Sequence, residues 1–130
     1  MKIKYSIDKN LHIVIVDYLE DPHYLEWIGI MQEIIRHPDF VPGSSIILDR
    51  HRVHTAPSTD YIKAVVEFIK AHPSELGKTH WATITTDIAS YGMMRMAQEM
   101  GGNAIQNMAA FLDLDSAKRW LLQGEQTKEP

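Results

Sequence analysis

Ser44 to Leu48, SSIIL, is a short apolar run of strand length that does not alternate, and this pattern belongs to a central strand covered on both faces. Such a strand needs helices on each side of its sheet, and the flanking sequence has them. Upstream, Ile3, Tyr5 and Ile7 alternate with polar neighbours, Asp8-Lys9-Asn10 has turn chemistry, and Leu11 to Tyr18 is rich in branched residues, so a β-hairpin is expected. Asp21-Pro22 has the form of a helix start, Leu25, Ile28, Met31 and Ile35 then recur at helical spacing as a predicted buried face, and His37-Pro38 ends the helix.

Downstream, a helix is predicted from about Pro57 to His72 with Ile62, Val65, Val66 and Ile69 on one stripe, closed by Pro73 and Gly77. His80 to Thr86 is strand-like in its β-branched content, and Asp87 or Ser90 is placed to cap a helix that runs to Gly101-Gly102. Ala104 to Phe111 is a further strand, and Asp113 to Leu122 a last helix with Leu114, Ala117 and Leu121 on one side. The order is ββαβαβαβα: an α/β fold with a mainly parallel sheet and one antiparallel edge strand from the N-terminal β-hairpin. At 130 residues and 45% hydrophobic content the chain suits one domain, expected over residues 1–122, with a polar, disordered tail over 123–130.

Composition removes several classes of function. A net charge of -4 argues against a nucleic-acid partner, since non-specific binding needs a basic surface against phosphates. Cysteine is absent, which excludes disulfides, thiolate metal sites and cysteine nucleophiles. No segment approaches the roughly 20 apolar residues of a membrane span, and MKIKYSIDKN does not resemble a signal peptide, so a soluble cytoplasmic protein is expected.

Tyr5 to Asp8 opening a hairpin, DFVPGSSIILDR from Asp39 to Arg50, YGMMRMAQEM from Tyr91 to Met100 and FLDLDSAKRWL from Phe111 to Leu121 together resemble the SpoIIAA-like proteins. These are small bacterial domains related to the STAS domains of anti-sigma factor antagonists and, more remotely, to CRAL-TRIO lipid-binding domains. The resemblance covers Lys2 to about Leu122 and implies a SpoIIAA-like, STAS-like fold. In the antagonists, a D-S-S-G-like motif after the third strand carries a phosphorylated serine. Here Asp49 matches the aspartate, but Arg50-His51-Arg52 stands where the serines would be. Ser58 and Thr59 come later, where a phosphate would meet the amides of a helix start; an ordinary helix cap needs the same residues there.

The stretch after Leu48 also gathers Asp49, His51 and His54, ligand types that zinc accepts, although an extended segment would send the two histidines to opposite sides. A histidine oriented by Asp49 would suit general acid–base chemistry, with Ser58, Thr59 or Ser90 as nucleophile, yet no G-x-S-x-G or glycine-rich phosphate loop occurs. Between Ile88 and Met100, Ala89, Met93, Met96, Ala97 and Met100 form a core stripe, while Tyr91 and Met94 fall off it and suit a subunit contact or an apolar ligand. Arg95, one turn after Tyr91, would accept the carboxylate of an amphipathic ligand such as a fatty acid.

The sequence thus leads to a non-enzymatic interaction or small-ligand (lipid-like) binding module, homodimeric, with Asp49, Arg50, Ser58, Thr59, Tyr91, Met94 and Arg95 on its binding surface and no metal or cofactor assigned. The alternatives are a hydrolase or metal-dependent enzyme using Asp49, His51 and His54, and a phosphorylation-switched regulator of the antagonist type.

Overall fold

The computed structural model describes residues 2–55, 57–86, 92 and 108–127. Five strands, β1 (Ile3–Asp8), β2 (Ile13–Tyr18), β3 (Ser45–Asp49), β4 (Trp81–Ile84) and β5 (Met108–Phe111), form one sheet in the order β1-β2-β3-β4-β5. β1 is antiparallel to β2, and β2 through β5 are mutually parallel. This is the mixed, mostly parallel sheet with an antiparallel edge that the alternation of strands and helices implied. The hairpin turn is set by Asp8, whose Oδ1 accepts from the amides of Asn10 at 3.0 Å and Leu11 at 3.1 Å.

Two helices, α1 (Tyr24–Arg36) and α2 (Thr59–Ala71), pack on one face with the short α3 (Pro73–Leu76), and α4 (Leu114–Thr127) packs on the other. Alternate residues of each strand serve the two layers: Val14, Val16, Ile46, Leu48 and Trp81 meet α1 and α2, while Ile13, Ile47, Ala82 and Ile84 meet Ala117 and Leu121 of α4. The non-alternating pattern of β3 follows from burial on both sides, since Ser45 through Leu48 are all buried.

Three boundaries and one helix face differ from expectation. The start of α1 is capped by His23, whose Nδ1 accepts from Leu25 N at 3.2 Å, and not by Asp21, whose carboxylate is engaged elsewhere. Its buried face is Trp27, Met31 and Ile34; Leu25 is 61% exposed, because the larger indole sets the rotation of the helix. Pro73 opens the one-turn α3 that Gly77 ends, at φ 65, and a Cβ on Gly77 would lie 3.0 Å from Gly43 N. That close approach of two backbones joins the entries of β3 and β4. Finally, α4 runs to Thr127 instead of stopping at Leu122, through residue types with adequate helix propensity such as glutamine and glutamate.

Apart from Gly92, the predicted helix Ile88 to Met100, with Tyr91, Met94 and Arg95, and the start of the predicted strand at Ala104 lie outside the described residues. Among the described residues, no helix is long and apolar enough to cross a membrane.

Candidate ligand site at the carboxyl edge of the sheet

Strand register aligns Asp17, Asp49, Ile84 and Phe111 as one row at the carboxyl ends of the parallel strands. Ile84 and Phe111 belong to the α4-side core, so Asp17 and Asp49 point to that face too. The segment after β3 then divides its charges between the two sides of the sheet. Arg50 turns toward α1 and α2, whereas His51 and Arg52 turn back to the aspartates on the α4 side.

On the helical side of α1 and α2, Arg50 is only 1% exposed. This corrects its expected place on the surface. Its guanidinium carbon lies 5.0 Å from the ring centre of Tyr18 and 5.2 Å from that of Tyr61, within cation–π range. Nη2 donates to Asp21 Oδ1 at 3.2 Å, and Asp21 itself is 35% exposed. Nε and Nη1 are buried without a hydrogen-bond partner among the described residues. Burial pulls the guanidinium down, but Tyr61, Tyr18 and Asp21 together hold it above the usual arginine value, so it stays charged. The two tyrosine hydroxyls share a hydrogen bond at 2.5 Å.

Burial pushes the Tyr18 phenol well above its ordinary value and Tyr61 upward as well, the latter against the opposing pull of Arg50. The folded state therefore favours both neutral phenols. Their contribution is complete below the unfolded tyrosine pKa, about 10, and is lost as pH rises through the higher folded values. In an alkaline titration, the ionisation of Tyr18 and Tyr61 should coincide with loss of far-ultraviolet circular dichroism. Reversible ionisation of Tyr18 and Tyr61 in a still-folded chain would contradict the buried pair.

On the α4 side, His51 Nδ1 donates to Asp49 Oδ1 at 2.5 Å, and the His51 amide donates to the same oxygen at 3.1 Å. Arg52 Nη1 reaches Asp17 Oδ1 at 2.6 Å. Next to this pair a cleft of about 340 Å³ is lined by Asp49, His51, Ile84, Thr86, Leu112, Asp113 and Leu114. Asp113 Oδ1 accepts from Ser116 N at 2.8 Å at the start of α4, and hydrogen bonds from Ser116 hold its carboxyl below the usual range. Leu112 is 73% exposed at the rim.

The predicted site residues are thus partly gathered. Asp49 lines the cleft and Arg50 lies behind the sheet from it. Ser58 is the N-cap of α2, its Oγ accepting from Tyr61 N at 3.1 Å, and Thr59 is the exposed first helical residue. His54 is exposed and does not join Asp49 and His51. Among the described residues, no three histidine, aspartate or glutamate side chains could hold a metal ion together.

Tyr18, Asp21, Tyr61 and Asp113 were not picked out as site residues from the sequence. For Tyr18 the available signal was its place at the carboxyl end of a parallel strand, where α/β proteins bind ligands. The fold and this edge define a mixed, mostly parallel α/β protein with polar groups collected at its strand ends. No family model matches the chain, and no curated protein or solved structure does either.

Proposed function

We propose that the chain is a non-enzymatic ligand-binding module of the SpoIIAA-like kind, a cytoplasmic homodimer that takes a small amphipathic molecule at the carboxyl edge of its sheet. The cleft carries this proposal: its volume of about 340 Å³ suits a small ligand, and strand ends are where α/β sheets receive one. Ile84, Leu112 and Leu114 offer contact to an apolar body. Asp49 and Asp113 favour a donor or cationic head group, and a carboxylate head would be repelled by them. This wall therefore turns the ligand class from a fatty acid toward an apolar amine or alcohol.

Native mass spectrometry of freshly purified protein should show dimer mass with a co-purifying small molecule. Leu112→Asp, at an exposed rim position, should remove the molecule and leave the fold intact. No bound molecule in the parent, or one retained in the variant, would count against the cleft. For the dimer, charged replacements at Tyr91 and Met94 should give a folded monomer.

One observation favours a second reading, a hydrolase: the short Asp49–His51 contact lies in the wall of a cleft that Thr86 also lines. Ester hydrolysis that His51→Gln abolishes, with ligand binding unchanged, would favour the enzyme.

A further inference from the structure

We propose that Arg50 is the receptor for a small oxyanion, a phosphate or carboxylate group, which displaces Asp21 and is held between the guanidinium and the first turn of α2. This site lies on the opposite face of the sheet from the cleft and does not depend on it.

A guanidinium presents five N–H donors in a planar fork, and oxyanions match that fork two oxygens at a time. At Arg50 the acceptor at hydrogen-bond distance among the described residues is a single carboxylate oxygen, Asp21 Oδ1, and the Tyr61 hydroxyl also faces the guanidinium, while Nε and Nη1 are buried with no acceptor in hydrogen-bond geometry there. Buried donors left in this condition cost free energy that a second acceptor would recover. The charge also stays on at any working pH, because arginine does not deprotonate in proteins.

Helix α2 adds a second element. It is 13 residues long, and Arg50 lies against Tyr61 in its first turn. Ser58 Oγ takes the Tyr61 amide and Ser58 O takes that of Ile62, so the amides of Thr59 and Asp60 have no acceptor within the helix. These amides and the positive end of the helix dipole favour an anion. Asp60 supplies a carboxylate in the same turn, but it is exposed and can remain in water.

Asp21 marks the entry. It sits on the connection between β2 and α1, is 35% exposed, and can swing to water when a better acceptor arrives. In this closed arrangement it stands in for the ligand. An anion bearing two or more oxygens would satisfy donors that Asp21 leaves open, and would tie the β2–α1 connection, the end of β3 and the start of α2 to one group.

The test is thermal unfolding of the full chain in chloride, phosphate or acetate at matched ionic strength. Phosphate or acetate should raise the melting temperature of the parent above its value in chloride, and the stronger of the two identifies a tetrahedral or a planar ligand. Asp21→Asn should melt lower in chloride, respond more strongly, and half-saturate at an anion concentration about tenfold lower, the value of one charged hydrogen bond no longer displaced. Arg50→Met should lose the response, and Leu112→Asp, in the other site, should keep it. Equal melting in all three salts for both the parent and Asp21→Asn would overturn the proposal. So would a folded Arg50→Met chain that still responds. If Asp21→Asn does not fold, the parent and Arg50→Met decide, and equal responses of the two to phosphate and acetate overturn the proposal.

Discussion

Trp27→Ala should destabilise the chain by about 3–5 kcal/mol, a large part of the 5–15 kcal/mol that holds a typical domain folded. Trp27 is fully buried in α1, and its indole meets Tyr61 and Phe68 of α2 edge-on, with ring centres 5.9 and 5.6 Å away. Truncation would open a cavity where the two helices and the sheet converge, and would loosen Tyr61, the ring against which Arg50 rests. Leu25→Ala, two positions earlier, should stay within about 0.5 kcal/mol because Leu25 is 61% exposed. Urea unfolding followed by circular dichroism would measure both. Comparable losses would mean that α1 is rotated toward the stripe the sequence suggested.

That contrast shows what could and could not be read from residue order. Between Leu25 and Ile35 apolar residues lie at nearly every turn position, so Leu25-Ile28-Met31-Ile35 and Trp27-Met31-Ile34 fit helical spacing equally well. Spacing established the helix, and the shape of Trp27 against a neighbouring helix decided its rotation. The stripe of α2 had no such rival, and Ile62, Val65, Val66 and Ile69 are all buried. The same distinction governs the site. Ser58 can be recognised as a cap because its partner, Tyr61, is three residues away. Asp21 reads locally as a cap because its partner, Arg50, is 29 residues away in sequence. Neither the burial of Arg50 nor the turning of His51 to the opposite face leaves a local signature, since both depend on β3 lying between two covered faces. The pairing of His51 with Asp49 was within reach, as an aspartate able to orient a histidine two positions on.

In chloride buffer, Asp21→Asn should destabilise the chain more than Arg50→Met, although the arginine is the larger and more deeply buried side chain. Asp21→Asn removes the carboxylate and leaves a guanidinium that is 1% exposed, permanently charged and without a counter-ion, a condition that costs about 3 kcal/mol or more. Arg50→Met removes the buried charge itself and leaves an unbranched apolar chain between the rings of Tyr18 and Tyr61. Asp21, already 35% exposed, then returns to water at little cost, so the loss should be about 1 kcal/mol, mainly the cation–π contacts. The double variant should match Arg50→Met alone, since asparagine harms the chain only while the guanidinium is present. A double-mutant cycle in urea would read this as a coupling equal to the whole cost of Asp21→Asn, about 3 kcal/mol or more. The reverse order, with Arg50→Met the costlier change and no coupling, would mean that Arg50 acts through its packing on the two rings and that Asp21 is incidental. In that case the open donors of the guanidinium would have no claim on an external anion either.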